Sequence, residues 1–407
     1  MQQNDFSSEP RTIIDLSASA NVDVAALRTS DGPALSRRLV AAMEGASPPA
    51  SSSVPAVSNE SVSVAPFESN HHRSVARGFA DSAKEAYLGG NYNEAAISLS
   101  KALAIFRQLD DLTNSAWCLN NSGKIHYRLG DMVGARLSLE ESVSLFRLTQ
   151  DVYGLCWSLY NLGRVSYRDR KYDAARVSLE ESLAQFRKWG DRAGIAWALN
   201  ALGKIAYRRH DYDSARAALL ESLELFREVD DIASVGWSLE NLGKVAYRTA
   251  DYPEARQRYI DSLETYRTLG DHKGMAWCYL CLGKVAYRQE MYREAEACVL
   301  DGRSIFHEVG DTYMEACCSE HLARVAYAGE DYENASALLS NGIVLFGEVG
   351  ELRAVADLQK DLERVNVAVK VIREAQAHGV VDTRPEGDEI GVEVRQFQRF
   401  APSGLAV

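Results

Sequence analysis

Residues 191–230 read DRAGIAWALNALGKIAYRRHDYDSARAALLESLELFREVD. Apolar residues recur there at helical spacing in two runs, separated by a polar break at Arg209, His210 and Asp211. The stretch predicts a helical hairpin. The pattern continues outward in both directions. Trp117, Trp157, Trp197, Trp237 and Trp277 are spaced by 40, and so are the tyrosines from Tyr87 to Tyr327 and the alanines from Ala95 to Ala335. Residues 71–350 therefore divide into seven units of 40, a self-similarity that marks a repeat architecture.

Local signals agree with the hairpin. Asp191, Asp231, Asp271 and Asp311 each precede a first helix, where a carboxylate suits the N-cap and the positive end of the helix dipole. Pro253 stands at the start of a second helix, a position that needs no amide donor.

The segment NLGKVAYR (241–248), with Ala255 twelve residues after Gly243, resembles the tetratricopeptide repeat family in its L-G, aromatic and A pattern. Leu239 stands where that family often has Trp, Tyr247 is one place late, and no Pro closes the unit. The unit of 40 exceeds the usual 34 by six residues, which adds about 9 Å of helix. In this it is similar to the long-helix repeats of bacterial regulators of the maltose-activator and SARP types. The resemblance implies an all-α fold, a right-handed α-α superhelical solenoid of helical hairpins. Those regulators also carry a nucleotide-binding module. Here the flanks of the array contain no G-x-x-x-x-G-K-S/T loop, so the repeat scaffold is expected without the motor.

Proline marks the outer boundaries, since eight of nine lie before residue 70 or after residue 380. Residues 1–70 are expected to be a largely disordered Ser/Pro-rich segment, with 46–66 as linker. Residues 351–379 keep helical periodicity through Val355, Leu358, Leu362, Val365, Val369 and Ile372 but lose the Tyr and Ala signature, and read as a capping helix. Residues 380–407 read as a flexible tail.

The net charge of -12 argues against a protein that coats nucleic acid or an anionic membrane through its overall field. No stretch approaches the roughly 18 apolar residues needed to span a bilayer. Seven cysteines, an odd number, suit reduced thiols, so a cytoplasmic protein is expected.

Catalytic constellations are missing. Cys278 and Cys281 form a lone CxxC within one helix, the eight histidines are scattered, and no HExxH, nucleophile elbow or EF-hand pattern occurs. Glu140-Glu141 and Glu180-Glu181 read as solvated faces. No enzyme activity, metal or cofactor is expected.

The first-helix wheel carries the remaining signal. At 100° per residue Leu239, Leu242, Gly243, Val245 and Ala246 fall on one arc, and Trp237, Glu240, Lys244, Tyr247 and Arg248 on the other. By resemblance the second arc lines a concave groove. Its cations recur in every unit: Lys124 with Arg128, Arg164 with Arg168, Lys204 with Arg208, Lys244 with Arg248, and Lys284 with Arg288. Lys84 and Arg324 complete twelve, while units 71–350 hold 33 basic and 39 acidic residues, so charge is segregated by face. Two readings stay open. The cations pair internally or pack over Tyr, or they meet an anionic ligand. The tryptophans either bury against Phe146, Phe186 or Phe226 of the preceding unit, or form a platform at Trp157, Trp197, Trp237 and Trp277 beside Tyr207 and Tyr247.

The expected function is a non-enzymatic protein–protein interaction scaffold that binds an acidic partner segment in this groove. One alternative is a regulatory sensor that binds a peptide or small effector and modulates an enzyme or transcription factor. Another is RNA binding by the same groove. No DNA or membrane partner is expected.

Overall fold

Among the described residues fourteen chain reversals join the helices, and each has one residue in the left-handed region. These residues recur every twentieth position from Gly90 to Gly350, with φ between 51° and 82°. Six are glycines and eight are not, among them Arg170, His210 and Ala250. At the reversal after Arg208, the His210 amide donates to the Tyr207 carbonyl and the Asp211 amide to the Ala206 carbonyl, which satisfies orphan carbonyls of the ending helix.

The computed structural model describes residues 66–377; the N-terminal segment up to residue 65 and the 380–407 tail lie outside them. The helices are α1 (Pro66–Leu88), α2 (Tyr92–Gln108), α3 (Leu112–Leu129), α4 (Met132–Thr149) and α5 (Val152–Arg168). They continue as α6 (Tyr172–Trp189), α7 (Arg192–Arg208), α8 (Tyr212–Glu228), α9 (Ile232–Arg248) and α10 (Tyr252–Leu269). The last five are α11 (His272–Arg288), α12 (Tyr292–Glu308), α13 (Thr312–Ala328), α14 (Tyr332–Glu348) and α15 (Leu352–Ala377). The fold is all-α, a repeat solenoid of antiparallel hairpins. Helix α1 reaches back to Pro66, ahead of the first repeat position, with proline at its first turn where no amide donor is lost.

The chain forms two bodies, one holding α1 to α10 and the other α11 to α15. In the first, each hairpin packs its own two helices together, and each second helix packs on the first helix that follows. First helices of successive hairpins also touch, α3 with α5, α5 with α7 and α7 with α9. In the second body α15 packs on α14, burying Leu358 and Val365 beside Leu339 and Phe346. Val355, Leu362, Val369 and Ile372 join the edge of that cluster.

Aspartates cap the first helices from the expected places. Asp191 accepts from the Gly194 amide at 2.9 Å, Asp231 from Ser234 at 3.1 Å and Asp311 from Met314 at 3.3 Å. The helices of one hairpin come closest at Gly203. A Cβ there would lie 2.8 Å from Leu219 Cγ and 3.3 Å from the Ala215 carbonyl, and Ala215 is wholly buried. A buried serine then ties second helix to first: Ser142, Ser182, Ser222 and Ser262 each donate at 2.8 Å to the carbonyls of Ala116, Cys156, Ala196 and Gly236.

One expectation is corrected. The tryptophans pack on phenylalanines of their own unit, not the preceding one. Ring centroids are 5.1 Å apart for Trp117 and Phe146, 5.1 Å for Trp157 and Phe186, and 5.2 Å for Trp197 and Phe226, all edge-on. The reason is the antiparallel hairpin, which brings the end of a second helix back to the start of its own first helix.

Candidate functional site

The recurring cations lie in the last turns of the first helices. Arg168, Arg208 and Arg248 are the final residues of α5, α7 and α9, where a cation faces the negative end of the helix dipole. Each rung is met by a tyrosine of the hairpin before it. Lys124 Nζ sits 5.5 Å from the centre of the Tyr87 ring, and Arg128 Nε donates to the Tyr87 hydroxyl at 3.3 Å. Arg164 and Arg168 both lie over Tyr127, at 5.1 and 4.9 Å. Lys204 is 5.3 Å over Tyr167, whose hydroxyl accepts from Arg208 Nε at 3.1 Å. Arg248 Nε donates to Tyr207 at 3.2 Å. These contacts hold the cationic groups at fixed places along the face.

Burial, and after it the neighbouring Arg128 guanidinium, lower the Lys124 ammonium of the first rung to a pKa of about 8. Both causes oppose a second positive charge at the site.

The fourth rung differs. Lys244 Nζ lies 2.5 Å from Glu240 Oε1, and the Tyr266 hydroxyl donates to Glu240 Oε2 at 3.2 Å. Glu240 is 0% exposed, although the helical wheel sets it on the open arc. The wheel fails because a first helix is packed by its own hairpin partner and by neighbouring first helices as well. Tyr266 takes the place that is Phe146, Phe186 and Phe226 in the sister units, and so supplies the hydroxyl.

Trp157 and Trp197 are buried and belong to the core, a correction to their place on the groove arc. Trp237 is half-buried, with Lys204 Nζ 4.6 Å over its ring. In the second body Lys284 lies 5.7 Å over half-buried Trp277, and Arg288 is exposed. Tyr247 is half-buried against Tyr252, ring centres 6.0 Å apart. Sequence reading omitted Tyr87, Tyr127 and Tyr167 from the site. Their spacing of 40 was visible, but their role as seats for cations 37 and 41 residues later was not.

The tetratricopeptide repeat family model matches residues 154–228 and 234–308. Residues 154–308 carry tetratricopeptide repeats. Solved structures similar to it include aspartyl phosphate phosphatase F from Bacillus subtilis, 9% identical over 68% of this chain and 72% of that one, with a TM-score of 0.55. Another is a signal transduction ATPase with numerous domains and a tetratricopeptide repeat sensor, from Pyrococcus horikoshii. It is 14% identical over 86% of this chain and 55% of that one, with a TM-score of 0.51. BtubC from P. vanneervenii is 20% identical over 59% of this chain and 92% of that one, with a TM-score of 0.44. No curated protein matches the chain significantly. The matches carry the repeat and its fold, and the maltose-activator and SARP likeness stays a resemblance.

On the second helices of the tetratricopeptide array, the acids read as solvated do face water and are also paired. Arg107, Arg147 and Arg187 reach Glu141, Glu181 and Glu221 of the next unit at 2.5, 2.7 and 2.9 Å. Glu140 and Glu180 pair with Arg136 and Arg176 one turn earlier. These exposed pairs order neighbouring repeats while contributing little energy each.

Five of the seven thiols are buried. Cys278 and Cys281 are buried, and burial pushes Cys118, Cys156 and Cys317 up to about 12. Among the described residues no cluster of three or more His, Cys, Asp or Glu is arranged to hold a metal, and no helix is long and apolar enough to cross a membrane. An open recess of about 460 Å³ lies at the start of α6, lined by Arg170, Lys171, Tyr172, Asp173, Ala174 and Arg209, with Arg209 paired to Asp173.

Proposed function

We propose that the open face of the first helices docks an acidic segment of a protein or peptide partner, which makes the chain a non-enzymatic interaction scaffold of the cytoplasm. Tetratricopeptide arrays are interaction folds, and the observation that carries the acidic partner is the cation and tyrosine ladder. Lys124, Arg128, Arg164, Arg168, Lys204 and Arg208 are held in register on three successive hairpins, with Arg248 following on the fourth. Stacked cations of this kind gain from carboxylates that approach them, through charge-assisted hydrogen bonds. Lys284 and Arg288 offer the same chemistry on the second body. Trp237 and Trp277 flank the cations and supply partly exposed ring surface. The seven unbridged cysteines support a reducing compartment.

Binding of a fluorescent poly-glutamate probe to the full chain tests this reading. The double variant Lys204→Glu and Arg208→Glu is expected to lose most of the affinity while keeping its helical circular dichroism. Lys244 is left intact because it balances the buried Glu240. A folded double variant that binds poly-glutamate as the parent does removes this face from the proposal, and a parent that prefers oligo(U) RNA to poly-glutamate replaces it with RNA binding.

A further inference from the structure

We propose that Lys124 is a site of covalent acylation by anionic donors of the acyl phosphate class. The site stands on Lys124 and its neighbours, and not on the acidic-partner reading above. Lys124 is half-buried on α3, with Nζ 5.5 Å from the centre of the Tyr87 ring on α1. Arg128 follows one helical turn later and is tied to the same tyrosine, its Nε donating to the hydroxyl at 3.3 Å. Two cations therefore share one tyrosine.

Among the described residues Lys124 takes part in no ion pair. The residue one turn earlier is the reason. Lys244 meets Glu240 there at 2.5 Å and Arg324 meets Glu320, whereas Lys124 has Asn120, whose Oδ1 is already taken by Asn161 and Ser158. Lys204 also follows an asparagine, but it lies over two rings, Tyr167 at 5.3 Å and Trp237 at 4.6 Å, and both favour its charged form. A lysine that is drawn out of water and set beside another cation is biased toward its free amine, the form that attacks electrophiles. The lowered pKa of about 8 agrees with this geometry.

The step needs only the donor. The lone pair of Lys124 Nζ attacks the acyl carbon, the new C–N bond forms as the C–O bond to phosphate breaks, phosphate leaves with the bonding pair, and the amine gives its proton to solvent. The cationic face draws an anionic donor toward the amine. The product is a neutral amide, which removes the positive charge that burial and Arg128 both oppose and ends the cation contact with Tyr87.

The test incubates the full chain with acetyl phosphate and follows the initial acetylation of each lysine by peptide mass spectrometry. At about pH 7.5 a pKa of about 8 leaves about a quarter of the amine unprotonated, against about one part in a thousand at the ordinary lysine value. A less basic amine is also a weaker nucleophile, so Lys124 is expected to react about tenfold faster than Lys188, which is exposed near the end of α6. Arg128→Gln should slow Lys124 by about threefold or more, and Arg128→Lys should preserve its rate. The uncharged donor N-hydroxysuccinimide acetate should favour Lys124 less than acetyl phosphate does. Lys124 reacting no faster than Lys188 on the parent chain overturns the site, and this comparison decides even if Arg128→Gln loses helical circular dichroism. A folded Arg128→Gln chain with an unchanged Lys124 rate overturns activation by the paired cation, and an equal preference with both reagents overturns the anionic donor.

Discussion

Asn161 on α5 donates its side-chain amide to Asn120 Oδ1 on α3 at 3.0 Å, across 41 residues and out of contact with water. Ser158 donates to the same oxygen at 3.3 Å and lies 2.9 Å from Ser142, so four buried polar side chains join two hairpins. The arrangement returns 80 residues later, where Asn200 donates to Ser238 at 2.8 Å between α7 and α9. Between α5 and α7 the equivalent residues are Tyr160, Ala198 and Ala201. Polar and apolar contacts thus alternate along the first body. A hairpin shifted by one unit would set polar side chains against apolar ones.

The network predicts coupled energetics. Asn161→Leu removes one of the two donors to Asn120 Oδ1 and should cost about 1 kcal/mol, whereas Asn120→Leu leaves the buried Asn161 amide without its acceptor and should cost about 1–3 kcal/mol. The double variant should cost less than the sum of the two, since neither orphaned partner remains. Urea denaturation of the four chains measures the coupling, and additive losses would contradict it.

The left-handed positions give a stabilising substitution. Ala250 has φ of 59°, a conformation that strains a residue with a Cβ. Ala250→Gly should raise stability by about 0.5–1 kcal/mol, after allowance for the greater unfolded-state entropy of glycine. Gly190→Ala, at φ 77°, should lower it by a similar amount. Thermal melts of both variants check the pair, and opposite signs are required.

The buried carboxylate makes Lys244 structural. Lys244→Met removes the cation 2.5 Å from a Glu240 that has no access to water, and should cost about 3–5 kcal/mol. Adding Glu240→Gln should return much of that loss, because a neutral amide has no charge to compensate. If the single variant melts like the parent, the pair is not buried in solution.

Lys124 predicts a pH dependence. Its folded pKa of about 8 lies below the ordinary value of about 10.4. At pH 7 the ammonium is charged in both states, and the full penalty of burying it beside Arg128 is present. Between about pH 8 and 10.4 the unfolded chain binds the proton and the folded chain does not, so this group makes stability rise with pH. Lys124→Met should therefore be more stable than the parent at pH 7, and its advantage should shrink above pH 8. An advantage independent of pH would assign the gain to packing alone.

The sequence alone determined the period, the hairpin and most of the core. Tryptophan, tyrosine and alanine at steps of 40 are covalent facts, and helical spacing places Leu239, Leu242, Gly243, Val245 and Ala246 on one buried face without reference to any neighbour. The aspartate caps were legible because a capping side chain bonds an amide only three residues away. Other features became visible only in the tertiary structure. A helical wheel knows one helix, and a solenoid helix touches several, so the burial of Glu240 and the seating of Arg208 on Tyr167 depend on chains of contact 26 to 41 residues long. The left-handed turns at Arg170, His210 and Ala250 were hidden for a related reason. Helices packed on both sides of a reversal impose its backbone angle whether or not glycine stands there, and the strain is offset by burial elsewhere.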